Sequence, residues 1–348
     1  MRRKLWIWGG AALALLVLSA TVALSIGTVS VPLVHVWEIL LHRIPGWGER
    51  IPVEWNVAAE QIVWRVRLPR MVLGILVGAA LGLAGASFQG VLRNPLADPY
   101  TLGVSSGASA GAAFLILFGL QLAWFGMWTV PVVAFGTGAL TLGAVLLLAR
   151  TDGKLRMETV ILSGVVMQAF LGAFVSLMVA LSKQVINEIL FWTMGSLALR
   201  GWSYSLVLLP YLAVGTLVLL SCGRAMNVFA LGEKQAAHLG VNVERTKLVV
   251  LVAATLMTAA VVSVSGVIAF VGLLVPHLLR LIVGPDYRLL LPLSLVGGAI
   301  YVLCADTIAR MALSPTELPL GVVTAFMGAP FFAYLLRRSR RGDRGQAG

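Results

Sequence analysis

Charge is what this 348-residue sequence has least of: 11% of its residues are Asp, Glu, Lys or Arg, against roughly 25% in an ordinary soluble domain. Acids are the scarcer sign, 14 against 26 basic residues, and there are only four histidines and two cysteines. Cys222 and Cys304 lie in or at the ends of apolar stretches, so a disulfide framework is not indicated; both are expected to pack as small buried hydrophobes. No GxxxxGK[ST] phosphate loop is present, since the one Gly-Lys pair, Gly153-Lys154, is followed by Leu155. HExxH, GxSxG and Cys/His clusters at metal spacing are also missing. Covalent chemistry, a metal site and a resident cofactor are therefore not expected of this chain.

Apolar residues are abundant, at 59%. A helix crosses the hydrocarbon core with ~20 of them, and runs of about that length recur at 5–26, 68–92, 103–120, 128–149, 158–182, 204–222, 247–265, 267–284, 289–311 and 319–337. They are continuous rather than alternating, which excludes a barrel, and open sheets cannot live in lipid. The expectation is an all-α polytopic membrane protein of about ten transmembrane helices, forming one domain over 1–348. The basic start MRRK resembles a signal peptide, but the following run is longer than a signal core of roughly 7–15 residues, so a retained first span is expected.

The net charge of +12 comes from short clusters between these runs, the pattern that orients membrane proteins rather than one that binds nucleic acid. With the N-terminus in the cytoplasm, the outer segments hold only Arg43, Arg50, Arg65, Arg67, Arg70, Lys183, Arg200 and Arg310, and all other Lys and Arg lie inside, including the basic tail 338–348. Both termini are thus expected in the cytoplasm. Outside, 27–66 reads as a long loop whose Trp37, Trp47, Trp55 and Trp64 suit an interfacial aromatic belt. Inside, only 223–246 is long enough for helices of its own.

The sequence also echoes itself. GVVMQAFLGAF (164–174) resembles GVVTAFMGAPF (321–331), and Phe88-Gln89-Gly90 matches Phe270-Val271-Gly272, with Arg65 and Lys247 each 23 residues upstream of the Phe. An offset of five spans reverses direction, so spans 2–5 and 7–10 read as an inverted repeat, a common transporter plan.

An ion-driven carrier needs an ionisable group or broken helix at membrane depth. Asp306 with Arg310 at i+4 suits a helix ion pair near the outer end, and His277 reads as a hydrogen-bonded structural imidazole. Arg67 and Arg70 in RLPR, together with Arg310, run against the charge bias; they read equally as snorkelling anchors or as a dock for an acidic partner. The run Gly103, Ser105, Ser106, Gly107, Ser109, Gly111 reads as close helix packing or as small polar groups lining a pathway.

The motifs RLPR (67–70), GASFQGVLRNPLADPYTLGVSSGAS (85–109), ALGEKQAAHLGV (230–241), GVIAFVGLLVPHLLRL (266–281), ADTIAR (305–310) and ELPLGVVTAFMGAPFF (317–332) together resemble the FecCD family, permeases of binding-protein-dependent ABC importers for iron chelates, haem and cobalamin. The resemblance covers nearly the whole chain. It implies a type II importer permease in a bacterial cytoplasmic membrane. Its implied partners are a second copy of the permease in a homodimer, two cytoplasmic ATPase subunits that hold ATP and magnesium, and an extracytoplasmic binding protein. It implies docking of that protein on Arg67, Arg70 and Arg310. It implies ATPase coupling through Ala230, Leu231, Gly232, Glu233, Ala236, Leu239 and Gly240, and a cytoplasmic gate near Arg156, Met157 and Glu158. The cargo it suggests first is a ferric siderophore, with haem and cobalamin as alternatives and an ion-coupled carrier as the rival mechanism.

Overall fold

Backbone placed in lipid must satisfy its own hydrogen bonds, and this chain does so as helices. The computed structural model describes residues 2–346 except Thr28, Trp47, Asp152 and Gly153, with the backbone alone at Arg2, Glu49, Thr151, Lys154 and 335–346. Trp47 of the proposed belt, part of the Gly153-Lys154 pair and the end of the basic tail 338–348 therefore lie outside the described residues.

Helices stand at all ten expected spans: Arg2–Ser25, Leu68–Leu92, Val104–Phe118, Thr129–Leu148, Met157–Leu181, Trp202–Ser221, Val243–Ser265, Val271–Val283, Tyr287–Met311 and Leu320–Gln346. Seven are long and apolar enough to cross a bilayer, while the third, the eighth and the apolar part of the tenth (Leu320–Tyr334) are shorter. A two-residue antiparallel hairpin, Arg150–Thr151 with Lys154–Leu155, joins the fourth and fifth spans.

The segment 27–66 is not one loop. Leu33–His42 is a helix, and the second span begins early, running unbroken from Val57 to Leu92. Pro69 supplies no N–H to the preceding turn, and at Ile62–Arg67 the helix widens to a π-turn, with the Leu68 amide bonded to the Val63 carbonyl. The belt reading also needs correction. Trp55 is buried with Leu24, Val36, Ile39 and Val63 in a small separate core, and Trp64 lies 5.0 Å from the Arg43 guanidinium; Trp37 is exposed. Cys222 is half-buried, but Cys304 faces outward from the ninth span.

The inverted repeat is visible in the packing. The second span packs on the ninth, and the seventh, its counterpart, packs on the fourth. Each of the two short spans that follow, the third and the eighth, starts from a left-handed residue, Gly103 (φ 76°) and Phe270 (φ 68°). The stretches preceding them, one a 3-10 turn at Pro99–Leu102 and the other 266–270, meet inside the bundle, where the Tyr100 hydroxyl donates to the Ile268 carbonyl at 3.1 Å.

Small residues permit the closest contacts. A Cβ on Gly78 would strike the Gly298 carbonyl, and one on Gly85 would strike Gly272, the close approach that small residues give membrane helices. The first span stays peripheral: it packs on the ninth and leaves Trp6, Ile7, Leu13 and Leu18 exposed.

Candidate functional site

Three groups of residues stand out. The first is at the end of the bundle where the second span begins. Arg67, delivered inward by the π-turn, donates to the carbonyls of Leu24 (2.7 Å), Ser25 (2.8 Å) and Val29. Arg310 donates to those of Ile26 (2.9 Å) and Ala23 (3.0 Å). The last carbonyls of a helix have no partner within it and carry its negative end, so the two arginines together cap the first span. Arg70 grips two acids, with Nη2 2.8 Å from Asp306 Oδ1 and Nη1 2.9 Å from Glu317 Oε2. Arg310 Nε also lies 3.2 Å from Asp306 Oδ2, the expected i,i+4 pair.

The three arginines predicted to dock a partner are thus brought together, but they do not stand free in solvent. Arg67 and Arg310 are buried, and Asp306 is buried with them, whereas the Glu317 side chain is 35% exposed. A cavity of about 170 Å³ opens here, lined by Gly27, Val29, Ile62, Val66, the three arginines and Glu317. With three cations against two carboxylates, the corner carries surplus positive charge.

The second group is at the opposite end, between the sixth and seventh spans. Two short helices, Gly223–Phe229 and Glu233–His238, are joined through Ala230, Leu231 and Gly232, where Gly232 takes φ 114°. Met226, Phe229 and Ala236 are buried beneath them, while Leu231 (62%) and Leu239 (64%) project into the surroundings, and Gly240 is exposed. The first helix is pinned by Asn227, which donates to Asp286 (2.7 Å) and accepts from the Tyr287 amide (2.8 Å). Hydrogen bonds from Arg288, and then from Asn227, hold the Asp286 carboxyl well below the usual range. Glu233 pairs with Lys247 at 2.7 Å. At the same end, Arg156, Met157 and Glu158 start the fifth span directly after the hairpin, with Arg156 and Glu158 exposed.

The third group was not singled out from the sequence. The backbone breaks at Gly195 and Gly266, and the start of the tenth span is stitched to them: the Leu320 amide donates to Gly195 O (3.0 Å), Gly321 to Met194 O (3.0 Å) and Ser196 to Ser265 O (2.8 Å). Beside this junction lies a cavity of about 750 Å³, walled by Thr193, Met194, Val267, Ala269, Gly321, Ala325, Phe326, Ala329, Pro330 and neighbours. Among the described residues, Thr193 carries the only polar side chain on that wall. The glycines were a readable signal, since Gly195 and Gly266 both take positive φ. Ser105, Gly107 and Ser109, by contrast, are buried and Ser106 is half-buried; a Cβ on Gly107 would meet Thr141. Their arrangement is close packing against the fourth span.

The chain is similar to known proteins. Residues 15–338 match the model of the FecCD transport family. The chain is 44% identical over 330 residues to the uncharacterised ABC transporter permease protein YvrB of Bacillus subtilis, covering 94% of this chain and 93% of that one. It is 44% identical over 294 residues to the cobalamin import system permease protein BtuC of Halobacterium salinarum, covering 82% and 76%. Further relatives are named for hemin transport in Yersinia pestis, molybdate import in Haemophilus influenzae and iron(3+)-hydroxamate import in Bacillus subtilis. A solved inward-facing ABC transporter of metal-chelate type superposes with a TM-score of 0.80 at 32% identity, covering 95% of this chain and 99% of that one. Ten helices in an inverted repeat, capped by the arginine corner and matched from residue 15 to residue 338, make this chain an ABC importer permease of the FecCD family.

Proposed function

We propose that this permease passes a bulky metal chelate, cobalamin first, from an extracytoplasmic binding protein to the cytoplasm. The observation that carries this reading is the cavity of about 750 Å³ with its nearly unbroken apolar wall. A small oxyanion needs converging donors or fixed positive charge, and this wall offers one hydroxyl. A large, weakly polar complex needs apolar surface and few polar contacts. A second copy of the chain facing this wall completes a central pathway. The 44% identity to a cobalamin permease favours the corrinoid. A ferric siderophore is the second reading, favoured by the motifs at 93–109 and 328–338.

In this reading both termini are cytoplasmic and the arginine corner faces outward. An acidic side chain of the binding protein enters the small cavity and takes over the Arg70 donors now held by half-exposed Glu317. ATPase subunits, holding ATP and magnesium, seat on 229–241 through Leu231 and Leu239, and the gate at 156–158 alternates with them. No step requires covalent chemistry in this chain.

The test is uptake into proteoliposomes containing the permease, its ATPase and its binding protein. Uptake of labelled cobalamin that depends on ATP and ignores an uncoupler supports the reading. Uptake of a ferric hydroxamate alone moves the cargo to the siderophore. Transport by the permease alone, abolished by the uncoupler, replaces the mechanism with a secondary carrier.

A further inference from the structure

Lys247 stands in the second turn of the seventh span, where a lysine at a membrane-helix end would ordinarily reach for water. Instead only 3% of its side chain is exposed. Its ammonium lies 2.7 Å from Glu233 Oε2, on the short helix Glu233–His238, and 3.9 Å from Glu244 Oε1, in its own first turn. The other Glu244 oxygen accepts the Leu155 amide at 3.3 Å. Leu155 closes the hairpin from which Arg156, Met157 and Glu158 lead into the fifth span.

One ammonium therefore joins three parts of the chain: the short helix between the sixth and seventh spans, the seventh span itself, and the hairpin ahead of the fifth. Its environment makes the junction responsive. A buried amine left without a counter-charge costs several kcal/mol, so Lys247 must hold at least one carboxylate. The two carboxylates are 45% and 48% exposed and free to move, while the lysine is not. If Glu233 is drawn away, the full demand of Lys247 falls on Glu244, which stands at the longer distance and is shared with Leu155. Glu244 must then turn toward the ammonium and loosen its hold on the hairpin.

We propose that Lys247 is the positioning residue that passes movement of the 233–238 helix to the start of the fifth span, through competition of Glu233 and Glu244 for its ammonium. This rests on the reading of 229–241 as the ATPase seat. It adds a route from that seat to 156–158 that uses only the first two turns of the seventh span.

The experiment uses the whole assembly in lipid nanodiscs and proteoliposomes, with Glu233→Gln, Glu244→Gln, the double variant, Lys247→Met and Lys247→Arg. Substrate moved per ATP hydrolysed, ATPase retention and melting temperature are measured on each. The expected result is a fall of about tenfold in substrate per ATP for Glu244→Gln and Glu233→Gln. Whatever stability the double variant loses by leaving Lys247 without a carboxylate, its substrate per ATP falls no further than in either single one, and Lys247→Arg recovers most of what Lys247→Met loses. Unchanged stoichiometry in both glutamine variants overturns the proposal, as do losses that multiply in the double variant or simply follow the melting temperature. Failure of the underlying reading looks different: Leu231→Asp with Leu239→Asp would then leave the ATPase bound.

Discussion

Arg70 and Asp306 are 236 residues apart in the chain and 2.8 Å apart in the fold. Their contact ties the start of the second span to the end of the ninth, the two helices that also meet at Gly78 and Gly298. Because the acid is buried and its arginine nearly so, losing one member leaves the other with a single counter-charge, Arg310 for Asp306 and Glu317 for Arg70. Asp306→Asn or Arg70→Met is expected to cost about 1–3 kcal/mol, read as a fall in melting temperature in detergent. Glu317→Gln, at a half-exposed position, is expected to cost under ~1 kcal/mol.

Close helix contact makes a second prediction. Gly78→Ala drives a methyl into the Gly298 carbonyl, and backbone cannot rotate aside as a side chain can. A loss of about 1–3 kcal/mol is expected. Gly143→Ala, in the fourth span with nothing within 4 Å of the added carbon, should instead gain ~0.5–1 kcal/mol from helix propensity. Thermal denaturation of the two variants side by side decides whether contact or propensity governs.

The Asp286 anchor should be visible through pH. Its carboxyl is held low in the fold by Arg288 and Asn227, so its charged form is the one the fold favours. A depressed acid stabilises at any pH above its unfolded value of about 4, and that stabilisation is lost as pH falls through the folded value. Asp286→Asn should therefore lose about 1–2 kcal/mol at pH 7, with the gap to the parent closing below about pH 4. A gap that stays constant between pH 7 and pH 3 would mean that shape, not charge, holds Asn227.

Tyr100 bridges the two breaks that precede the short spans. Tyr100→Phe removes one hydroxyl and leaves Ile268 O without that donor, at an expected cost of about 1 kcal/mol. Hydrogen exchange should rise at 266–270 as well as at 98–102 if the hydroxyl couples them; a rise confined to 98–102 would show that each break is held by its own half.

How much of this could be read from residues alone follows from what the code expresses. The ten spans were legible because each is a run of apolar side chains, and the Asp306–Arg310 pair because two opposite charges stood at i+4 in such a run. Arg67 was legible as unusual, but its acceptors were not: they are the main-chain carbonyls of Leu24, Ser25 and Val29, which no side-chain pattern announces. The large cavity left only the trace of the glycines at and beside it, Gly321 on its wall and Gly195 and Gly266 at the adjoining breaks; the rest of its wall is ordinary apolar sequence. Trp55 was misread because aromatic residues near a membrane surface look alike whether they face lipid or a small core. Arg65 and Lys247 are equivalent by spacing, yet the first is exposed and the second buried, a difference set by what packs beside each.

The union of Gly78 with Gly298 has a consequence for how the protein is made. A ribosome adds roughly 5–20 residues per second, so the second span waits on the order of 10–40 s before the ninth exists to cover it. During that interval its glycine face, buried in the finished bundle, must be sheltered by lipid or by whatever attends the nascent chain. Biogenesis is thus a stage at which this face of the second span has no protein partner.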